Sequence, residues 1–193
     1  MRAGTGTTSQ SSDGRRERLR QIIEEKSLMK GGSFTLASGK SSSFFVNLKL
    51  TMLDPEGSNL LAELVLEVLE SHGIRNVGGL EMGAVPLVAS ICTKSHGRFP
   101  VNAFFVRKAM KDHGAGKLID GPLDPGAEAL IIEDVVTTAG SALQAVAAVR
   151  ALGCTVTKVL AIVDRQEGGK ENLENEGLEL ISLFDRSDFP IDA

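Results

Sequence analysis

Ala129-Leu130-Ile131-Ile132-Glu133-Asp134-Val135-Val136-Thr137-Thr138-Ala139-Gly140-Ser141 is the stretch on which the reading of this chain turns. An apolar run of strand length delivers two adjacent acids into a small, hydroxyl-rich turn, and a helix then runs from Ser141 to Leu152. At such a turn the backbone N–H groups of Thr137 to Ser141 point outward without helical partners, and a helix N-terminus favours a bound anion. The hydroxyls of Thr137, Thr138 and Ser141 add donors, while Ala139 and Gly140 let an anion approach the backbone closely. A phosphate monoester fits this cradle. Glu133 and Asp134 precede it at a strand end, where open α/β sheets bind their ligands. Acids repel phosphate, so their position makes sense if they hold sugar hydroxyls and stabilise a ribose ring that becomes cationic as a bond breaks. No Lys follows Gly140 and the glycine spacing differs from G-x-x-x-x-G-K-S/T and G-x-G-x-x-G, so neither the nucleoside-triphosphate loop nor the dinucleotide fingerprint is present. Two solvated acids before an ordinary capped helix would account for the acid pair alone, but not for the whole segment.

Outward from this point, segments of strand length alternate with helices. Upstream lie a strand near Val77 to Leu80, a helix from Ala84 to Lys94 and a strand from Val101 to Val106; downstream lies a strand from Val156 to Val163. Such alternation predicts an α/β domain with a largely parallel sheet flanked by helices. The helix from Ser141 to Leu152 has only Gln144 and Arg150 as polar interior positions, which predicts packing on two sides. Asp54-Pro55-Glu56 starts an earlier helix with Leu60, Leu61, Leu64, Val65, Val68 and Leu69 on one stripe, and Gly73 ends it. Before that, Phe34 to Ala37 and Phe44 to Leu50 flank the turn Ser38-Gly39-Lys40-Ser41. They predict a hairpin-like hood lobe, mainly residues 30–53, beside the main sheet. A first amphipathic helix is expected from Arg15 to Met29, stopped by Gly31-Gly32. Met1 to Gly14, rich in Gly, Ser and Thr, are expected to form a disordered leader, leaving residues 15–193 as a single domain.

The 193 residues, 42% hydrophobic and 24% charged, suffice for one buried core. A net charge of −4 gives no global basic excess, which argues against nucleic-acid binding. Cys92 and Cys154 have neither partner nor metal-ligand spacing and are expected as small core residues. Apolar runs break well before membrane-spanning length and the N-terminus is polar, so a soluble cytoplasmic protein with no membrane contact is expected.

A second segment, Arg107-Lys108-Ala109-Met110-Lys111-Asp112-His113-Gly114-Ala115-Gly116-Lys117, follows a strand and concentrates positive charge on a glycine-containing loop. It suits a lid closing over an anionic leaving group. By charge alone a run of this kind is more often a solvated surface loop.

The Glu133–Ser141 segment resembles the phosphoribosyl pyrophosphate signature of the type I phosphoribosyltransferases. The resemblance implies that fold, with Glu133 and Asp134 on the ribose hydroxyls and the run through Val135, Val136, Thr137, Thr138, Ala139, Gly140 and Ser141 holding the substrate and its 5-phosphate. The order Arg-Lys-x-x-Lys-x-His-Gly is similar to the catalytic loop of the orotate phosphoribosyltransferases. This implies that Arg107, Lys108, Lys111 and His113 bind phosphoribosyl pyrophosphate in the neighbouring subunit of a homodimer, with Lys111 and His113 catalytic. Phe34 to Gly39 with Phe44-Phe45, Gly79-Leu80-Glu81-Met82-Gly83-Ala84, and Asp164-Arg165-Gln166-Glu167 resemble the same family, so the matches span Phe34 to Glu167. Orotate carries a carboxylate, and Arg165 can offer it a bidentate contact; Thr137, Phe44 and Phe45 complete the implied orotate site. Apart from that resemblance, an ion pair with Asp164 or Glu167 accounts for Arg165 equally well.

The implied reaction forms orotidine monophosphate and pyrophosphate in de novo pyrimidine biosynthesis. Its Mg2+ would be held mainly by substrate oxygens, with no metal site built from the protein alone. The chain departs from many bacterial members at Ala37 and at Met82-Gly83, where they carry lysines; Lys40 or backbone amides near Gly83 are candidates to replace them. A related enzyme acting on another nucleobase, or a non-catalytic regulator that binds phosphoribosyl pyrophosphate, are the alternatives. His72 and His96 receive no role.

Overall fold

Asp54 accepts the Gly57 N–H at 2.9 Å, Pro55 occupies the first turn, and Gly73 takes φ +70 just past the end, so helix α3 is bounded at both termini by its sequence. The computed structural model describes residues 11–35, 41–109 and 117–191. In order these are α1 (Ser12–Lys26), β1 (Leu28–Thr35), β2 (Ser41–Val46), α2 (Lys49–Met52), α3 (Pro55–His72), β3 (Asn76–Leu80), α4 (Ala84–Ser95), β4 (Asn102–Val106), β5 (Ile119–Asp120), β6 (Leu130–Val136), α5 (Gly140–Ala151), β7 (Lys158–Asp164), α6 (Gly169–Asn175) and β8 (Glu179–Asp185), followed by a 3-10 turn at Arg186–Asp188.

Six strands form one sheet in the order β5-β4-β3-β6-β7-β8, parallel except for the antiparallel edge pair β4 and β5. The chain leaves β3 toward β4 on one side and β6 toward β7 on the other. The strand order therefore reverses between β3 and β6, and a crevice opens there at their C-terminal ends. Core residues divide between the two faces. Leu61, Val65, Leu69, Leu87 and Ile91 of α3 and α4 pack with Val77, Ile132 and Ile162 on one side; Ala142, Ala145, Val146 and Val149 of α5 pack with Ile131, Val159 and Ala161 on the other. The expected largely parallel α/β sheet is therefore present. No helix among the described residues is long and apolar enough to cross a membrane.

Several details differ from expectation. Ser11 accepts the Gly14 N–H and starts α1 at Ser12, so Ser12 to Gly14 belong to the helix rather than to a leader; Met1 to Gln10 lie outside the described residues. Gly31-Gly32 do not end a helix but lie inside β1, where the register with β2 shifts between Lys30 and Phe34. β2 stops at Val46, because Leu48 and Met52 bury their side chains at helical spacing and make α2 instead. On α5 only one stripe is buried, while Gln144, Ala147 and Ala151 face outward, so the helix packs on one side. Cys154 is buried but Cys92 is exposed, so only one of the two is a core residue.

Candidate active site

β6 carries its acids into the crevice. Leu130, Ile131 and Ile132 are buried, and Glu133, Asp134 and Val135 are half-buried as the strand emerges from between the helical layers. Asp134 lies against Gly83, at the start of α4: a Cβ at Gly83 would stand 2.9 Å from Asp134 Oδ1. Deeper, a Cβ at Gly79 would meet the Ile132 carbonyl oxygen at 2.1 Å and the Ala84 Cβ at 2.7 Å. The two glycines thus let the loop Glu81-Met82-Gly83 come close beside the acids; its Glu81–Met82 peptide bond is cis. Glu133 Oε2 is buried and has no hydrogen-bond partner among the described residues. Burial, followed by the negative charge of Asp134, pushes the Glu133 carboxyl up to about 8, against the pull of Lys108 and Lys49. At neutral pH this acid keeps its proton for most of the time.

Beyond Val136 the chain turns through Thr137 and Thr138, both half-buried, to Ala139, which adopts φ +63. α5 then begins at Gly140 with no side-chain cap, so its first N–H groups are open to an anion, and no atom crowds the side of Gly140 where a Cβ would sit. A left-handed alanine is sterically costly, which marks the cradle as a shape held by its surroundings. Two contacts from α6 hold it. Asn172 Nδ2 donates to the Thr138 carbonyl at 3.1 Å, and Gly169 packs so tightly that a Cβ there would lie 2.7 Å from the Thr137 carbonyl oxygen. Neither α6 residue carries a signal in the sequence, where nothing distinguishes Asn172 from any surface asparagine.

Arg165 follows β7, one strand over. It is 2% exposed, and its guanidinium lies 3.9 Å over the Phe44 ring, donates to Ser42 Oγ at 3.0 Å and to Glu167 Oε1 at 2.8 Å. The pairing with Glu167 that the sequence offered as an alternative is real, yet it is internal rather than a surface pair. Burial raises the neighbouring Asp164 carboxyl, partly opposed by the Gln166 N–H that it accepts at 2.9 Å. Ser42 and Phe44 share one face of β2, so the hairpin is pinned to the sheet through Arg165. Phe45 lies on the opposite face, stacked on Phe34 at 6.0 Å. The structure therefore brings Thr137, Phe44 and Arg165 to one side of the crevice and sets Phe45 apart from them.

At the other wall, the ends of the basic loop are tied down. Arg107 Nε donates to Asp120 Oδ2 at 2.6 Å and its N–H to the Leu118 carbonyl at 2.8 Å. The Lys108 N–H donates to Glu81 Oε1 at 3.1 Å, joining this loop to the one beside the acids. Lys111 and His113 lie outside the described residues, as do Ala37 and Lys40. Among the described residues no cluster of three or more His, Cys, Asp or Glu could hold a metal ion.

No protein-family model matches the chain. An orotate phosphoribosyltransferase of Rhodopseudomonas palustris is 47% identical over 187 residues, covering 93% of this chain and 98% of the relative. Among solved structures, the Mycobacterium tuberculosis orotate phosphoribosyltransferase in complex with Fe(III) dicitrate superposes with a TM-score of 0.80 at 36% identity, covering 92% of this chain and 99% of the other. The same bacterium's enzyme in complex with phosphoribosyl pyrophosphate gives 0.74 at 35% identity, covering 90% and 98%.

Proposed function

Because the chain belongs to the orotate phosphoribosyltransferase family, we propose that it transfers the phosphoribosyl group of phosphoribosyl pyrophosphate to orotate. The products are orotidine 5′-monophosphate and pyrophosphate, a step of de novo pyrimidine biosynthesis. One observation carries this reading: the acid pair Glu133-Asp134 and the uncapped N-terminus of α5 meet at the crevice between β3 and β6.

The 5-phosphate sits on the open N–H groups and hydroxyls from Thr137 to Ser141, with Val135 and Val136 as the strand that leads into them. Glu133 and Asp134 take the ribose hydroxyls. As the bond from the anomeric carbon to pyrophosphate breaks, its electron pair leaves with pyrophosphate, and the ring nitrogen of orotate forms the new bond while its proton passes to the departing pyrophosphate or to solvent. The ribose is cationic between these events, and the acids beneath it favour that charge. In the free protein the pair holds a proton at neutral pH, so it offers one O–H donor together with acceptor oxygens. Arg165, already oriented by Ser42, Glu167 and Phe44, faces the orotate carboxylate, with Thr137 beside it.

Lys108, together with Lys111 and His113, neutralises the leaving pyrophosphate, acting across the interface of a homodimer. Arg107 belongs to this loop, although in the free protein its guanidinium is held by Asp120. A magnesium ion would be held mainly by substrate oxygens, and the unpartnered oxygen of Glu133 and the carboxylate of Asp134 are hard donors that would support it where they meet the ribose. When bound, the ion offsets negative charge on pyrophosphate.

The test mixes protein, magnesium and phosphoribosyl pyrophosphate with orotate, uracil, adenine or hypoxanthine in turn and follows pyrophosphate release. Release with orotate alone is expected. Release with another base would overturn the role given to Arg165, and silence with all four would favour a regulator.

A further inference from the structure

α2 is a short helix between the hairpin and α3, and its orientation is fixed. Leu48 and Met52 are buried, the buried Thr51 hydroxyl pairs with Ser27 at 2.7 Å, and a Cβ on Gly57 would stand 2.5 Å from the Thr51 carbonyl oxygen. With that side anchored, Lys49 faces out of the protein. Most other lysines of the described surface are occupied: Lys26 by Asp54, Lys94 by Glu63, Lys158 by Glu179 and Lys30 by the Pro190 carbonyl. Lys49 makes no ion pair or side-chain hydrogen bond among the described residues, and the acid nearest to it in sequence, Asp54, already has Lys26.

The position of this cation matters. Among the described residues, Lys108 at the base of the basic loop and Lys49 on α2 both lie close enough for their charge to act on the buried Glu133 carboxyl. α2 packs on α4, whose first turn follows the Glu81-Met82-Gly83 loop. Lys49 thus belongs to the β3 side of the crevice, opposite the 5-phosphate cradle, which continues into α5. Cations lining a cleft that receives a polyanion raise both its affinity and its capture rate.

Resting on the reading of the site given above, we infer that Lys49 is a substrate-binding residue, contacting the pyrophosphate end of phosphoribosyl pyrophosphate from the β3 side of the crevice. It supplies a fixed positive charge where the Met82-Gly83 loop offers none. Lys49 carries no local signature in the sequence, where it stands near the end of the strand-like stretch Phe44 to Leu50.

The experiment compares wild type, Lys49→Gln and Lys49→Arg in two assays: steady-state kinetics with each substrate varied, and calorimetric binding of phosphoribosyl pyrophosphate without orotate. Loss of one charge-assisted contact lowers affinity by about 10- to 100-fold. Lys49→Gln should show that loss in binding and in kcat/KM for phosphoribosyl pyrophosphate, with the KM for orotate within about twofold of wild type. Lys49→Arg should recover most of it, since it keeps the positive charge at the same place. Unchanged binding in Lys49→Gln, or equal damage from Gln and Arg, overturns the inference. Wild-type protein that binds phosphoribosyl pyrophosphate but does not convert orotate would count against the proposed reaction, and the binding comparison would still decide the role of Lys49.

Discussion

Replacing Glu133 with Gln should make the protein more stable, and increasingly so as the pH rises. The Glu133 carboxyl is buried beside Asp134 and stands at about 8 rather than 4.5. Between those two pH values the folded chain keeps a proton that the unfolded chain has lost, so wild-type stability falls as pH rises through this window and levels off above it. At about 1.4 kcal/mol per pH unit the full difference is about 5 kcal/mol. Water entering the open crevice and hydrogen bonding within the pair reduce this, and about 2–4 kcal/mol is expected. For a chain of this size that is about 5–15 °C in Tm. Gln carries no such term. Thermal unfolding of both proteins from pH 4.5 to 9 should therefore show nearly equal Tm values at the acid end and a widening advantage for Glu133→Gln up to about pH 8, accompanied by lower kcat/KM. A constant offset across the range would refute the reasoning, because it would mean that Glu133 ionises as an ordinary surface acid. The fold tolerates a destabilising acid here because the site uses it.

Gly79→Ala forces a Cβ against the Ile132 carbonyl and Ala84 and should cost about 1–3 kcal/mol or more in urea unfolding; wild-type stability would disprove the close approach of β3 to β6. Arg165→Leu removes the contacts to Ser42 and Glu167. It should raise the KM for orotate by about 10-fold or more while leaving that for phosphoribosyl pyrophosphate within about threefold; an equal rise in both would mean that Arg165 only pins the hairpin. Lys111→Ala should depress turnover far more than orotate binding. Mixed with Asp134→Asn subunits it should regain activity through hybrid dimers, and no regain would exclude action across the interface.

Much of the fold is legible in the sequence where local signals agree. Asp54, Pro55 and Gly73 bound α3, the apolar run 130–132 followed by acids and small residues gives β6, the cradle and α5, and the alternation of segments gives the parallel sheet. Where local signal and structure diverge, the causes are specific. Gly31-Gly32 look like a helix stop, but in β1 they accommodate a register shift in an exposed hairpin. β5 is two residues long and is defined only by pairing with β4 across a distant loop, so no periodicity announces it. α6 and β8 give weak sequence signals, because α6 is short and polar, with Leu173 as its main buried anchor, and half of β8 is only partly buried. The site follows the same division. Residues within one contiguous motif, Glu133 to Ser141, stand out in the sequence, whereas partners supplied by tertiary contact, such as Ser42 under Arg165, Asn172 behind the cradle and Asp120 on Arg107, carry no local signature. Phe44 and Phe45 are adjacent in sequence and read as one unit, yet strand alternation sends them to opposite faces.

The most direct test of the central claim is to incubate the protein with magnesium, phosphoribosyl pyrophosphate and orotate and to measure orotidine monophosphate by chromatography, for wild type beside Asp134→Asn. Wild type is expected to form orotidine monophosphate, and the variant to lose most of the rate with its fold intact. Failure of wild type to form orotidine monophosphate, or full activity in Asp134→Asn, would contradict that claim.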